Sequence, residues 1–155
     1  MTLTNDILFA AVLEQLSAGH RAKIAGTGSS MEPTIHAHSD QLELAAIDSL
    51  QLGQICLYRR PNGGYAIHRI HRISADSIVL VGDNQVKTET VPPTAVLAQV
   101  VTIHRGETQT DATSPAFLAQ GYGANKKRLR RFFRRQLGYN LVNFPRRLAK
   151  TLLKK

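Results

Sequence analysis

The sequence predicts a mainly β domain, a coiled antiparallel sheet or barrel-like core, with an N-terminal helix and a C-terminal basic amphipathic helix. Three observations carry this. Between residues 21 and 104, short runs rich in Val, Ile, Leu and Tyr alternate with Gly, Pro, Asn and Asp clusters, the pattern of short strands joined by turns. Ile7, Leu8, Val12, Leu13 and Leu16 recur at helical spacing. Leu129, Phe132, Phe133, Leu137, Leu141 and Phe144 do the same at the other end, with Arg and Lys between them.

Taken in order, Thr4 is placed to cap a helix over 5–17, and Gly19 stands just past its end. A strand at 21–25 leads into the polar segment Gly26-Thr27-Gly28-Ser29-Ser30-Met31-Glu32-Pro33-Thr34. Further strands are predicted at 41–47, 54–60, 65–73, 77–81 and 95–104, with Pro61-Asn62-Gly63-Gly64 as a hairpin turn. Residues 106–123 read as a linker, rich in Thr, Ser, Gly and Ala. The domain is therefore expected over 1–105 and a basic helical tail over 124–155, broken or kinked near Pro145.

At 155 residues the chain suits one domain with its own core, and its 43% hydrophobic and 20% charged content excludes a disordered chain. Charge is unevenly placed. Up to Asp111 there are eight Lys/Arg and all eleven Asp/Glu, whereas the rest holds twelve Lys/Arg and no acid. The single Cys56 sits in an apolar run, which excludes an internal disulfide and points to a buried structural thiol. No stretch reaches the roughly 18–20 apolar residues of a membrane span. The best apolar run, Ile7 to Leu13, comes after Asn5 and Asp6 rather than a basic start, so the chain is expected to stay in the cytoplasm.

The candidate chemistry lies in the polar segment. Gly26 and Gly28 free the backbone to aim N–H groups at an oxyanion, Met31 can anchor the loop in the core, and Pro33 stiffens the chain on its C-terminal side. Those features alone leave Ser30 one polar-loop serine among many.

Ser30-Met31-Glu32-Pro33-Thr34 resembles the nucleophile motif of type I signal peptidases. Leu52-Gly53-Gln54-Ile55-Cys56-Leu57-Tyr58 is similar to the next strand of that family, written Gly-Asp-Ile-Val-x-Phe. Ile67-His68-Arg69-Ile70 resembles the general-base strand, and Val81-Gly82-Asp83-Asn84-Gln85 the Gly-Asp-Asn motif. The likeness runs from about Ile24 to His104, with the motifs in order. His68-Arg69 in place of a lysine resembles the histidine branch of that family. The resemblance implies a signal peptidase-type fold and a serine endopeptidase without metal or other cofactor. Ser30 would be the nucleophile, His68 the general base, and Asp83 or Glu89 the acid that orients His68.

Two departures stand out. The family pattern has Ser-Gly-Ser before the Met, with its first hydroxyl assisting the oxyanion hole; here Gly28-Ser29-Ser30 leaves Ser29 or Thr27 to substitute. Where the family has an Asp-Asp pair, this chain has Thr88-Glu89. His71 is expected on the opposite face from His68, and His36, His38 and Asp40 are expected as surface-loop residues rather than metal ligands.

The expected partners are a peptide or protein substrate, cut at a leader or pro-segment, and an anionic membrane surface. Arg128, Arg131, Phe132, Phe133, Arg134 and Arg135 would meet that membrane; the tail's other readings are docking on the protein's own surface and nucleic-acid binding, the latter disfavoured because no base-reading fold accompanies the charge. Competing readings are a LexA-like self-cleaving regulator, a binding protein that keeps the fold without activity, and a membrane- or nucleic-acid-binding module. The first needs a lysine base and a DNA-binding domain, and only about thirty residues precede Ser30.

Overall fold

Ile55, Cys56, Leu57 and Tyr58 are all fully buried. Four consecutive buried side chains require a strand covered on both faces. They form β3 (Ile55–Arg59), the middle of the sheet. The computed structural model describes residues 3–152, with side chains described from 7 to 134.

Helix α1 spans Leu3–Ser17, so Thr4 lies inside it rather than capping it. Gly19, at φ +79°, closes its end as predicted. The strands are β1 (Ala22–Ala25), β2 (Asp40–Ala45), β3, β4 (Tyr65–Ile73), β5 (Ile78–Val81), β6 (Thr88–Val91), β7 (Val96–Arg105) and β8 (Thr108–Asp111), and the chain ends in α2 (Pro115–Leu152). They make one antiparallel sheet, ordered β1-β2-β7-β3-β4-β5-β6 with β8 on β7. The sheet is not closed, and β1 and β6 end the path. Long β7 works twice along one edge: Val96–Gln99 pairs β3, and Thr102–Arg105 pairs β8. Register shifts at Glu43/Leu44, Leu57/Tyr58 and Ile70/Arg72 add to the coil of the sheet.

Alternation sorts the apolar side chains into two clusters. Ile55 and Leu57 face one cluster with Val12 and Leu16 of α1, Met31 and Leu42. Cys56 and Tyr58 face the other with Ile70, Ile78, Leu80 and Val91. Burial pushes the Cys56 thiol far up, so it is a structural, unreactive thiol.

The mainly β architecture with a helix at each end is the one the pattern predicts, and two strands are not legible in it. Thr88-Glu89-Thr90-Val91 has one apolar residue in four, and β8 has none and is exposed throughout. Both are held by ladder hydrogen bonds, which composition does not report. Residues 106–123 are consequently no linker. A turn at Gly106 (φ +56°) returns the chain onto β7. Ser114 Oγ then accepts the Phe117 N–H at 3.4 Å, with Pro115 in the first helical position, and α2 begins. It runs past Pro145 without the predicted break.

The start of α2 lies close against the sheet. A Cβ on Gly121 would collide with the Arg69 guanidinium, and one on Gly53 (φ +85°) with the Leu118 carbonyl. Leu129 is the last residue of α2 described as buried. Residues 115–129 thus belong to the domain.

Asp40 ties the loop after β1 to β7. Its carboxylate is fully buried and accepts Arg105 Nε and Nη2 at 2.9 and 2.6 Å and the His36 N–H at 2.8 Å. The Arg105 guanidinium holds its pKa down at about 2 against the ordinary 3.8. A depressed carboxylate stabilises the fold above its unfolded pKa, and that stabilisation is lost as pH falls through the folded one. We expect Asp40→Ala to cost about 2–3 kcal/mol at pH 7. Measured by urea unfolding against pH, the deficit should shrink below pH 3.8 towards about 2.

Candidate active site

The loop between β1 and β2 is closed at its base: the Gly26 N–H donates to the Asp40 carbonyl at 2.8 Å, and the His38 N–H to the Gly26 carbonyl at 2.9 Å. Met31 is buried in the core and anchors the loop as expected. Gly28 has φ +74°, a conformation that strains any side chain. That accounts for the glycine where the resembled pattern has a serine. Thr27 lines the cleft beside Ser30, whereas Ser29 is exposed and its carbonyl accepts Asn84 Nδ2 at 3.2 Å. The Ser30 N–H has no acceptor among the described residues, which leaves it free to meet an oxyanion.

The turn after β5 braces this loop. The Asn84 N–H donates to the Ser30 carbonyl at 2.8 Å. Gly82 sits so close that a Cβ would lie 2.5 Å from that carbonyl oxygen and 3.2 Å from His68 Nε2. Arg128 of α2 donates to the carbonyls of Gly82, at 2.8 Å, and Asp83.

His68 comes from β4 and is 1% exposed. Its Nε2 lies 3.2 Å from Ser30 Oγ, and its Nδ1 2.9 Å from the hydroxyl of Tyr58. Tyr58 is not among the residues the sequence singles out for chemistry. The register sets Cys56 opposite His68, so Tyr58, two residues on, shares that face as a diagonal neighbour. Burial lowers the pKa of His68, with Glu89 opposing and Arg60 assisting. A neutral imidazole beside a hydroxyl is equipped to take its proton.

Neither acid expected to orient His68 hydrogen-bonds its ring among the described residues. Asp83 is occupied elsewhere: Arg69 Nε and Nη2 donate to it at 2.9 and 2.7 Å, Thr34 Oγ1 at 2.5 Å and Asn125 Nδ2 at 3.0 Å. Successive strand residues point to opposite faces, so an acid held by Arg69 is turned away from His68. Glu89 pairs with Arg60 at 2.9 Å. The position beside Nδ1 belongs to a tyrosine instead.

Arg128, expected at the membrane, donates instead to the turn at Gly82 and Asp83. Arg131, Phe132, Phe133 and Arg134 are exposed, and the side chain of Arg135 lies outside the described residues. His71 packs its ring against Tyr122, 5.7 Å between centroids. Asp40 is committed to Arg105, and no group of three His, Cys, Asp or Glu among the described residues is arranged to hold a metal. No helix among them is long and apolar enough to cross a membrane.

A cleft of about 300 Å³ opens at Ser30 and His68. Ile24, Met31, Ile35, Leu42 and Ile67 give it apolar walls, and Leu8 and Phe9 of α1 form one rim. A larger cavity, about 470 Å³, lies by the end of α1 and contains neither Ser30 nor His68.

The two acids should separate on mutation. Asp83→Ala strands the buried Arg69 guanidinium and should lower the unfolding free energy by about 3–5 kcal/mol. Glu89→Gln, at a part-exposed pair, should cost no more than about 1 kcal/mol. Urea unfolding of both variants checks this. Comparison with protein-family models, curated proteins and solved structures finds no match to this chain.

Proposed function

We propose that this chain is a serine endopeptidase of the signal peptidase type, working through an acyl-enzyme on Ser30 with His68 as general base. The carrying observation is the 3.2 Å approach of Ser30 Oγ to Nε2 of a buried histidine, in a cleft with several apolar side chains in its wall. His68 takes the hydroxyl proton as Oγ attacks the scissile carbonyl, and the Ser30 N–H receives the oxyanion. The proton then passes from His68 to the leaving amine. Water, deprotonated by His68, releases the acyl group in turn.

The cleft suits an extended peptide. Among the described residues, β1 is an end strand with one free edge, and residues 65–68 of β4 pair only with β3, because β5 begins its pairing at Arg69. A substrate strand laid along these edges would present its backbone to Ser30 and alternate side chains to the apolar wall. The resemblance favours small residues before the cut and a leader or pro-segment of a dedicated substrate.

The place of action in this reading is the cytoplasmic face of a membrane. From Ala112 onward the chain holds twelve Lys/Arg and no acid, and α2 exposes Phe132 and Phe133 among Arg130, Arg131 and Arg134. Such a face suits an anionic bilayer.

A fluorophosphonate probe should label Ser30, and His68→Ala should slow labelling about 10²-fold or more. Wild-type labelling without His68 would overturn the assignment. Because burial favours the neutral ring, the labelling rate should fall on acidification with a midpoint below the ordinary histidine value of 6.5. In liposome co-sedimentation, the full-length chain should bind vesicles rich in phosphatidylserine. The double variant Phe132→Ser, Phe133→Ser should bind less, and equal binding would remove the apolar face from the proposal.

A further inference from the structure

We infer that Arg60 is a substrate-binding residue, and that the peptide taken by this site carries an acidic side chain two to four residues before the scissile bond. The inference rests on the serine-protease reading of the site and adds to it a charge that the substrate must bring.

The wall of the cleft at Ser30 and His68 is largely apolar or small. Ile24, Met31, Ile35, Leu42, Tyr65 and Ile67 stand in it as outlying parts of the core. Arg60 is the one residue of that wall, among those described, with a permanent charge. A cation in an otherwise uncharged cleft wall is informative where one more apolar side chain would not be.

The fold does not use that charge up. Arg60 Nη2 lies 2.9 Å from Glu89 Oε1, and the two side chains are 33% and 22% exposed. Glu89 itself stands outside the cleft wall, on β6 opposite Leu80. Arg60 Nε is buried without an acceptor among the described residues. A guanidinium carries five N–H donors in a fork that matches a carboxylate. One part-exposed carboxylate, met at one nitrogen, leaves donors over for a second.

The β3–β4 register sets where that second carboxylate falls. Cys56 pairs with His68 and Tyr58 with Ala66, and the Arg60 N–H donates to the Gly64 carbonyl at 2.6 Å. Arg60 therefore continues the alternation of Cys56 and Tyr58, on the face His68 occupies on β4. From His68 to the level of Gly64 is four residues of strand, about 13 Å, and the long arginine side chain shortens the gap. A substrate strand on the edge of residues 65–68 advances at the same rise. Its residues before the cut then pass Arg60 at the second to fourth position.

Alanine-based peptidyl phosphonate diphenyl esters, which trap an activated serine, test this. Probes are made in pairs differing only by Asp against Asn, at the second, third or fourth residue before the phosphorus. At one of these positions the wild-type chain should be labelled about tenfold faster by the Asp probe at low salt. The ratio should shrink as salt is added. Arg60→Gln should bring it to about 1, whereas Glu89→Gln should raise it by removing the internal competitor. Both variants alter a part-exposed pair and should fold. The exchange Arg60→Glu with Glu89→Arg keeps the ion pair and should turn the preference against Asp, which a purely structural pair would not do. Equal Asp and Asn rates at all three positions in the wild-type chain, or a preference that survives Arg60→Gln, removes the acid subsite. Fluorescence anisotropy with the same peptides, carrying a carboxamide in place of the phosphonate, reads binding without reaction. Tighter binding of the Asp peptide over an inert Ser30 removes the protease reading and leaves the subsite. A labelled Ser30 with no charge preference removes the subsite alone.

Discussion

Arg69 is 1% exposed, and a guanidinium taken out of water must have its donors met or the fold does not hold. Its partners are drawn from across the molecule. Nη1 reaches the Gly53 carbonyl at 2.6 Å at the entry to β3, Nε and Nη2 grip Asp83, and the ring of Phe117 on α2 lies 5.1 Å away. Asp83 in turn collects Thr34 from the Ser30 loop and Asn125 from α2. One buried charge therefore fixes the loop, the turn after β5 and the helix relative to β4. His68 is the next residue back along that strand, so the clamp on one face sets the imidazole on the other. The separation of Ser30 from His68 is a consequence of a structural ion pair with no contact to either ring nitrogen.

The same clamp explains why α2 does two kinds of work. Its first part must lie close to the sheet, which is why glycine stands at 121 and at 53, where a Cβ would strike Arg69 or the helix backbone. Asn125 and Arg128 then serve the turn that braces Ser30. Beyond Leu129 the described side chains are exposed, phenylalanines included. A stretch uniform in composition is thus divided by contact: the positive charge at 128 is consumed inside the domain, and those from 130 to 134 face solvent.

Much of this was legible in the sequence, for identifiable reasons. The Ser30 loop, the His68 strand and the Gly82-Asp83-Asn84 turn sit on short motifs, and the strands carrying them are marked by apolar runs bounded by turn residues. β6 and β8 escape notice because backbone pairing holds them and few apolar residues mark them. The group beside Nδ1 escapes for another reason. Sequence places Asp83 and Glu89 near the site, but Arg69, adjacent to His68 and on the opposite face, captures the first of them. Tyr58 reads as core filling in an apolar strand, where the resembled pattern has phenylalanine. Its hydroxyl acquires meaning only once the β3–β4 register is known, with Cys56 opposite His68. The surplus polar atom in that buried position was the available signal.

A tyrosine beside Nδ1 alters what the histidine can do. A carboxylate in direct contact would stabilise the imidazolium strongly and raise the pKa of the base. Here a neutral phenol stands at Nδ1 instead, and the charges of Glu89 and Arg60 act on the ring in opposite senses. Burial is then the largest influence on His68, and its pKa falls below the ordinary value. The ring stays neutral into mildly acidic conditions, at the expense of a weaker pull on the serine proton. Brønsted behaviour sets these against each other: a base of lower pKa is present in the right form over a wider range but drives proton transfer less. In the proposed mechanism the tyrosine therefore supplies orientation more than basicity. That division suits a protease whose substrate is held for it as an added strand, where geometry rather than encounter sets the chance of attack.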